Sequence, residues 1–454
     1  MSATGKDAAA VGSWPTHERI EALKSIVPRA KVEEILQECH GTGRFCRRLP
    51  GWFMTWFVIG IGLFCQDCYR QVFRWLQPYQ SIGTPGRSTL CEARKRLGVA
   101  VLRRLAESSI ELLGTQETPG AYYEEMRLMA IDGFVVDLAD SEANERTFGR
   151  PASGRSPGAF PQARVLALCE TGPHVLWRSL IKPIRRGEQP MAQAVLRFLE
   201  PGMLLLWDRN FLSYQAVATV LSQGAQLVAR IKSNLVFEPI QHLPDGSSLA
   251  KLYPSPTHRR HDRQGILVRI IEYTFDDPNR PGSGQKHRLL TTLLDPNSHP
   301  APRLIELYHE RWEEELAIDE LKTHQCERPV LRSQTPRGVV QELYGLLIGH
   351  YIIRVLMFQA AAQQAIDPQR LSFTNTLKIL RCRLPESPRS QRGRRYWHRR
   401  LLEEISHEVI EERRNRINPR VIKKKMSNWQ KKRAHHRSYP QPQTAFRDAI
   451  VMLN

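Results

Sequence analysis

The chain has 454 residues, a formal net charge of +20 at pH 7 and 41% hydrophobic residues. This length allows several domains, and this composition allows a buried core, which excludes a largely disordered chain. The positive charge favours a polyanionic partner, so DNA, RNA and an anionic membrane surface are the candidate classes.

The first 120 residues are predicted to form a helical domain. Apolar residues recur three or four apart over residues 17–40, and helices also fit 52–78 and 88–114. Residues 51–65 are strongly apolar but shorter than the roughly 20 residues that span a bilayer, so a buried helix is expected. The first residues lack the pattern of a secretory signal, which predicts a cytoplasmic protein. A basic group in this domain comprises Arg94, Lys95, Arg96, Arg103 and Arg104.

The eight cysteines do not indicate a disulfide framework, because they are scattered over the whole chain. Cys65 and Cys68 form a CxxC pair. A zinc site would need two more ligands, and Cys39, His40 and Cys46 are available by count only. Reduced, partly buried thiols are therefore the favoured interpretation, with a zinc site as the alternative.

Residues 121–235 and 290–380 are predicted to form a mixed α/β core. The apolar runs LMAIDGFVVDL, ARVLALCE and GMLLLWD predict strands, and MAQAVLRFLE predicts a helix between the last two. The runs QLVARI, GILVRIIEY and HRLLTTLLD are separated by turns and favour β structure from about residue 226 to 295. Within this stretch, residues 236–289 are predicted to be a β-rich insertion. Residues 301–323 and 337–364 are strongly helical and can pack on the core.

The C-terminal region, residues 381–454, is dense in basic residues. Between residues 378 and 437, 20 Lys and Arg stand against six Glu. Tyr396, Trp397 and Trp429 are interleaved with this charge. A folded or DNA-ordered basic helix is therefore favoured over a solvated tail.

Two acidic residues lie where α/β sheets carry functional groups. Asp132 interrupts the apolar run LMAIDGFVV, and Asp208 follows MLLLW at the end of a predicted buried strand. Either residue alone is more often a turn residue or a helix cap. Together with a third acid on a helix, they become a candidate catalytic set.

The third acid lies in LYHERWEEELAIDELKTH. On a continuous helix that advances about 100° per residue, one face about 60° wide carries Tyr308, Arg311, Glu315 and Lys322. Asp319 lies only about 40° from Glu315, so periodicity alone does not separate these two carboxylates. An exposed helix with i,i+4 ion pairs is the alternative interpretation.

The spacing Y-(2)-R-(3)-E-(6)-K resembles the signature helix of the insertion-sequence-four family of DDE transposases. The resemblance extends over nearly the whole chain. The segments that carry it are GRFCRRLPGWFMTWFVIGIGLF, AIDGFVVDLADSEANERTFGRP, GAFPQARVLALCETG, WDRNF, RLLTTLLDP, YHERWEEELAIDELKTH, LRSQTPRGVVQELYGLL and INPRVIKKKMSNW. Asn210 replaces the Gly that the family commonly has two residues after the second Asp. The turn is expected to survive, because Asn tolerates a positive φ better than other non-glycine residues.

The resemblance implies a ribonuclease H-like catalytic core with a β-rich insertion, an N-terminal helical domain that binds DNA ends, and a basic C-terminal region for DNA binding or dimerisation. It implies a transposase with endonuclease and strand-transfer steps. Asp132, Asp208 and Glu315 would be its catalytic residues and would hold two Mg²⁺ or Mn²⁺ ions. Three carboxylates suit such oxygen-preferring ions.

The family moves DNA by cut and paste through a hairpin. Water releases a 3′-hydroxyl at the element end, and this hydroxyl attacks the opposite strand to leave a hairpin. A second water opens the hairpin, and the freed 3′-hydroxyl joins target DNA. The implied partners are double-stranded DNA, as terminal inverted repeats and as target, and a second copy of the chain in a synaptic homodimer. No membrane partner is expected, and a nucleoid-associated protein of the bacterial cytoplasm is implied.

The same resemblance implies further DNA contacts. Tyr308 and Arg311 resemble residues that bind phosphates beside a base turned out of the duplex, and Lys322 resembles a residue near the scissile DNA. Such a base needs an aromatic platform. The candidates for this platform are Trp312, Phe237, Tyr253 and Tyr273. The tail segment adds Lys423, Lys424 and Lys425.

Other functions remain as alternatives. A transposase-derived DNA-binding regulator would have lost the acids, all three of which are present. A structure-selective nuclease of the same fold would cleave without strand transfer. A glycosidase using two of the carboxylates would leave the basic tail and Lys322 without a role.

Overall fold

A computed structural model describes residues 23, 25–40, 49–77, 83–153, 156–232, 234–309, 311–388, 390–411, 421–422 and 430–453. The chain divides into two compact units, each of which contains both helices and strands. Unit 1 comprises Met1–Pro119, Gly133–Gly187 and Glu315–Ile410. Unit 2 comprises Gly120–Asp132, Glu188–Glu314 and Glu411–Asn454. This mixed α/β composition is the one that the sequence predicted.

Helices occupy much of the described chain. In chain order they are α1 (Arg29–His40), α2 (Gly51–Leu63), α3 (Tyr69–Leu76), α4 (Arg87–Leu97), α5 (Ala100–Ser109), α6 (Glu142–Phe148), α7 (Glu188–Val195), α8 (Tyr214–Ser222), α9 (Pro256–Arg260), α10 (Ala301–His309), α11 (Trp312–Asp319), α12 (Pro336–Gln364), α13 (Phe373–Arg383) and α14 (Gln391–Ser406). A π-helix, Glu320–Gln325, follows α11 directly.

The strands also follow the chain order. They are β1 (Tyr122–Tyr123), β2 (Met126–Leu138), β3 (Ala152–Ser153), β4 (Ser156–Pro157), β5 (Gln162–Glu170), β6 (Val175–Pro183), β7 (Met203–Trp207), β8 (Gln226–Arg230), β9 (Gln241–His242), β10 (Ser248–Leu252), β11 (Ile266–Phe275), β12 (His287–Thr291), β13 (Val330–Leu331), β14 (Val421–Ile422), β15 (Gln430–Lys431) and β16 (Ile450–Met452).

Unit 2 is built on a mixed sheet with the strand order β2-β7-β8-β12-β11-β10-β9. The pairs β2–β7 and β7–β8 are parallel, whereas β12 joins β8 in the antiparallel sense. All five residues of β7, MLLLW, are buried, as expected for a central parallel strand covered on both faces. The β-rich segment predicted as an insertion therefore continues the same sheet through β12.

Unit 1 is organised around two apolar helices. In α2, 12 residues are buried, because a helix that is hydrophobic on all sides must be covered on all sides. Helix α12 is long and apolar enough to cross a membrane by length and composition, but 83% of its apolar window is buried inside the protein, as in a soluble core helix. The antiparallel pairs β5–β6 and β3–β4, and strand β13, which runs parallel to the end of β2, also belong to this unit.

Three predicted helical segments are interrupted. Residues 64–68 separate α2 from α3, and Gly98, with a φ of 73°, ends α4 before α5 begins. The segment 301–323 is divided into α10, α11 and the π-helix. Apolar periodicity continues across such breaks, because the pieces on either side still face a core. The interval 337–364 forms one helix, as predicted, and residues 17–22 lie outside the described part.

The contact between α2 and α12 depends on two glycines. A Cβ atom on Gly62 would overlap the Gly345 carbonyl oxygen, and one on Gly345 would overlap the Val58 carbonyl oxygen. The obstacle is backbone in both cases, so it does not move aside as a flexible side chain would. The two helices can approach this closely only without side chains at these positions.

We predict that Gly62→Ala lowers the free energy of unfolding by about 1–3 kcal/mol, because overpacking exceeds the gain of about 1 kcal/mol in helix propensity. Urea denaturation of the whole chain would measure the change. Gly83→Ala is the matched control, since a Cβ there meets nothing within 4 Å, and it should stay within about 0.5 kcal/mol of wild type. Equal stability of both variants would contradict the proposed close contact.

Candidate active site

The first two predicted acids are neighbours on adjacent parallel strands of unit 2. Ile131 of β2 pairs with Trp207 of β7, and Asp132 and Asp208 directly follow this pair. Adjacent strands lie about 4.8 Å apart, and residues in the same register of parallel strands share one face of the sheet. Both aspartates are half-buried. The register thus brings these two carboxylates together.

Arg230, at the end of the next parallel strand, β8, has the same register position as Asp132 and Asp208. These three positions form the Asp132 row. Trp207 also pairs with Ala229 of β8, so Arg230 follows that pair as Asp208 does. Its Nη2 lies 3.4 Å from Nδ1 of His287, and burial lowers the pKa of His287, which favours a neutral, accepting ring. A guanidinium here can offset carboxylate charge or bind a phosphate. Arg230 was absent from the sequence-based predictions, although a charge that ends the buried run QLVAR matches the position of Asp208 after MLLLW.

The Tyr308 side chain reaches the backbone beside Asp208. Tyr308 lies on α10, and its Oη donates a hydrogen bond to the Trp207 carbonyl oxygen at 3.2 Å. Burial raises the pKa of Tyr308 to about 12, and the Asp208 charge contributes to this rise. The charges of Arg311 and Arg230 act in the opposite direction. The phenol therefore remains a protonated donor at neutral pH.

A buried ion pair from the β-rich segment fixes the start of α10. Asp245 accepts a hydrogen bond from the Ala301 backbone N–H at 2.8 Å and pairs with Arg269. The Arg269 side chain is fully buried, and its Nη1 also donates to the His299 carbonyl oxygen at 2.7 Å. Removing one partner of such a pair costs about 3–5 kcal/mol, because it leaves a buried charge without compensation. This network therefore sets where α10 begins and where its tyrosine lies.

The segment predicted as one helix is divided. Helix α10 ends at His309, α11 begins at Trp312, and Lys322 lies on the π-helix. A constant advance of about 100° per residue does not apply across a wider π turn. The shared face of Tyr308, Arg311, Glu315 and Lys322 therefore stays a prediction.

Glu315, the third predicted acid, is half-buried on α11 and begins the last segment of unit 1. The competing carboxylate, Asp319, accepts a hydrogen bond from Oγ1 of Thr323 at 2.6 Å and lies 3.3 Å from Nε2 of His324. Asp319 is thus engaged within its own turn. The structure groups Asp132, Asp208, Tyr308 and Arg311 in unit 2, whereas Glu315 and exposed Lys322 belong to unit 1.

The donor atoms available for a metal are oxygens. Within the described residues, no group of three or more His, Cys, Asp or Glu stands ready to hold a metal ion. Asp132 and Asp208 supply two carboxylates on adjacent strands, a donor set that suits Mg²⁺ or Mn²⁺ better than Zn²⁺. Cys65 is buried and its thiol donates a hydrogen bond to the Gly62 carbonyl oxygen at 3.1 Å, whereas Cys68 is exposed. Cys46 lies outside the described residues.

The candidates for base stacking differ in exposure. Tyr273 is buried beside Phe275, so it fills the core of unit 2. The Tyr253 hydroxyl donates to Oδ1 of Asp262 at 2.6 Å, and Phe237 is half-buried. The Trp312 side chain and the residues Lys423, Lys424 and Lys425 lie outside the described part of the chain.

The N-terminal basic group contains less free charge than the sequence suggested. Arg94 is buried, and its guanidinium donates to the Gly338 carbonyl oxygen at 3.0 Å and to the Tyr69 hydroxyl. Lys95 and Arg104 are exposed but form ion pairs with glutamates at 2.6 and 2.8 Å. Arg94 is therefore a structural residue of unit 1. Membership of the basic group in the sequence did not reveal this burial, because charge alone does not determine exposure.

A buried charged cluster holds the π-helix of unit 1. The Glu320 carboxylate accepts a hydrogen bond from Nε of Arg354 at 2.9 Å and lies 3.3 Å from Nε2 of His350 and 3.2 Å from Nδ1 of His174. These four residues form the Glu320 cluster. Although burial opposes the effect, the Arg354 charge holds the pKa of Glu320 well below its usual value. Burial lowers the pKa of His350.

Comparison with known proteins gives matches over most of the chain. Residues 17–107 match the family described as "Insertion element 4 transposase N-terminal", and residues 123–352 match "Transposase DDE domain". The chain is 27% identical over 393 residues to "Transposase InsG for insertion sequence element IS4" of Escherichia coli (strain K12), which covers 84% of this chain and 86% of that protein. It is 26% identical over 197 residues to "Putative transposase InsZ" of the same organism, over 42% of this chain and 65% of that protein.

A solved structure also resembles the chain. It is the piggyBac transposase synaptic complex with hairpin DNA, with a TM-score of 0.41, 14% identity, and coverage of 88% of this chain and 87% of that one. The DDE domain match spans half of the present sequence, and it defines a DDE transposase, an enzyme class that moves DNA and depends on divalent metal ions. Within this class, the chain belongs to the insertion-sequence IS4 family, as its N-terminal match and its similarity to the IS4 transposase show.

We predict that the Glu320 cluster lowers the free energy of unfolding as the pH falls from about 7 to about 5. Because the pKa of His350 is lowered from its usual value of 6.5, the neutral ring stabilises the fold at pH values above 6.5, and this contribution is lost as the pH falls. His350→Gln keeps a donor for Glu320 and removes the titration, so its unfolding free energy should depend less on pH in urea denaturation. His407→Gln, at an exposed position, should follow wild type. A wild-type slope in His350→Gln would refute the assignment.

Proposed function

We propose that the chain cleaves and joins DNA at the ends of its insertion sequence, with Asp132, Asp208 and Glu315 as the ligands of two Mg²⁺ or Mn²⁺ ions. The observation that carries this proposal is the strand register that sets Asp132 beside Asp208. The family pattern selects Glu315 as the third ligand.

The surrounding side chains would position the DNA. Bound divalent ions would supply activation of the attacking oxygen and stabilisation of the leaving one. The Tyr308 phenol, which stays protonated, and the Arg311 guanidinium would bind a phosphate beside the reacting bond. Arg230 would add a second cation in the same row, and Lys322 would contact the scissile strand. Nicking, hairpin formation, hairpin opening and joining are each an attack of oxygen on phosphorus, so one set of residues can serve all four steps.

The catalytic core is proposed to be ribonuclease H-like. Support comes from the parallel strands β2, β7 and β8 of unit 2, which carry Asp132 and Asp208, and from the antiparallel pair β5–β6 within unit 1. Residues 236–289 would be the insertion, with residues 1–120 binding the element end and 381–454 binding DNA or a second chain. Phe237 lies in a segment that also exposes Val236 and Ile240. Among the candidates whose side chains the structure describes, we favour Phe237 for stacking on an extruded base.

The proposed partners are the terminal inverted repeats, target DNA and a second copy of the chain. A synaptic dimer follows from the reaction, which must handle two element ends together. DNA as substrate also implies action at the nucleoid in the cytoplasm. A catalytically inactive regulator would not need the paired aspartates, and a structure-selective nuclease would cleave without joining. The detection of joined products with a cloned element end and Mg²⁺ on a denaturing gel separates these alternatives.

We predict that Glu315→Gln abolishes cleavage, hairpin formation and joining together. Removing a ligand charge should cost several kcal/mol of transition-state stabilisation, and about 4 kcal/mol corresponds to about a thousandfold in rate. Folding and end binding should persist, because the amide keeps the shape of the carboxylate. Asp319→Asn is the matched control and should lose less than about tenfold. The reverse order of the two variants in Mg²⁺-dependent cleavage, with both shown to be folded, would overturn the assignment of Glu315.

The outer face of α14 is a candidate surface for the DNA backbone. Trp397, Leu401, Leu402 and Ile405 are buried on one side of this helix. Arg392, Arg395 and Arg399 are exposed on the other side, at a helical spacing, with Tyr396 58% exposed between them. The Arg399 guanidinium lies 5.5 Å from the centre of the Tyr396 ring. This exposed basic face of α14 supports the proposal that the region binds DNA.

We predict that replacing Arg392, Arg395 and Arg399 together by Ala flattens the salt dependence of DNA binding. Each lost phosphate contact should reduce the slope of log K against log salt by about 0.9, so up to about 2.7 is expected. Fluorescence anisotropy with end DNA at about 50–200 mM salt would measure the slope. The control replaces Arg146, Arg383 and Arg400, which are ion-paired with glutamates, and changes the net charge equally. Equal slopes for the two triple variants would exclude this face.

A further inference from the structure

The C-terminal end of the chain is an integral part of unit 2. Residues 441–453, the C-terminal strap, end in β16, which pairs with β11 in the antiparallel sense. Phe275 lies opposite Ile450, and Tyr273 lies opposite Met452. The Leu453 backbone N–H donates to the Glu272 carbonyl oxygen at 2.9 Å. The sequence predicted a basic region up to residue 454, but this last part is ordered on the sheet.

Two buried charged residues bind the beginning of the strap. The Asp277 carboxylate, which is 1% exposed, accepts hydrogen bonds from the backbone N–H groups of Gln443 at 3.1 Å and of Thr444 at 3.4 Å. Nη2 of Arg280 donates to the Thr444 carbonyl oxygen at 2.9 Å. Buried charges that are satisfied by backbone groups fix the local path of the chain. The strap is thus anchored at both ends.

Between these anchors, the strap contacts α10. The Phe446 ring stacks on the His309 ring, with centroids 4.3 Å apart and an angle of 22° between the planes. Burial lowers the pKa of His309, which favours the neutral ring. Nε of Arg447 lies 3.2 Å from Oε1 of Glu306 on the same helix. Ala449 is fully buried in the apolar core that α10 shares with the sheet, and Tyr308 packs against this core.

We propose that the C-terminal strap is a positioning element for the reaction. It holds the last turn of α10 so that the Tyr308 hydroxyl and the following Arg311 stay beside Asp208. The inference rests on the proposed function for the role of these residues, and on the contacts alone for the coupling between strap and helix. His309 is the direct neighbour of Tyr308, so a shift of the stacked pair is transmitted to the tyrosine.

Hydrogen–deuterium exchange of the full-length protein tests the coupling without any activity. Phe446→Ala should accelerate amide exchange in residues 301–309 at least tenfold and leave residues 203–207 unchanged. Val451→Ala is the control in the same strap, because that side chain is 41% exposed on β16, and its exchange should match wild type. Unchanged exchange of α10 in Phe446→Ala would overturn the proposal, whatever the catalytic behaviour of the protein.

Kinetics separates positioning from a purely structural role. Phe446→Ala should lower the cleavage rate at saturating end DNA at least tenfold, since a misplacement of about 1 Å can cost about 100-fold. The Kd for end DNA should change less than about threefold. In a background that combines Tyr308→Phe and Arg311→Ala, the same substitution should add less than twofold, because the groups that it misplaces are already missing. Additive losses would overturn the positioning role. Absence of cleavage by wild type would refute the proposed function, while the exchange result would still decide the coupling.

Discussion

The register of three parallel strands is the constraint on which the candidate site depends. Because side chains alternate between the two faces of a sheet, a slip of one residue in β7 or β8 would send Asp208 or Arg230 away from Asp132. The register is held by the runs MLLLW and QLVAR, because a slip would expose apolar side chains that are buried in the core. Core packing thus determines the relative position of two acids and a cation.

The side chains around Asp208 come from elements that are distant in sequence. Helix α10 brings the Tyr308 hydroxyl to the Trp207 carbonyl oxygen, and the charges of Arg311 and Arg230 act to lower the pKa of this phenol. The buried pair of Arg269 and Asp245 fixes one end of α10, and the strap contacts the other. A helix of nine residues is too short to hold its place by its own hydrogen bonds. Its position depends on tertiary contacts at both ends.

The sequence predicted the parts of the site that leave a local pattern. Asp132 and Asp208 could be found because each interrupts or ends a buried apolar run, and α12 because its pattern is long and unbroken. Periodicity between Tyr308 and Lys322 did not reveal the division into α10, α11 and the π-helix, since the apolar spacing continues across all three elements. Burial of Arg94 and the order of the last residues depend on partners distant in sequence, such as Gly338 and Asp277, which no local window contains.

The pairing of β16 with β11 also has a consequence for the order of folding. A chain grows from its N-terminus, and domains generally fold in that order during synthesis. Strand β11 and helix α10 leave the ribosome well before residues 450–452, so both elements lack a neighbour within unit 2 until that segment has emerged. A chain truncated before Phe446 would keep the acids and the basic helix but would lack β16.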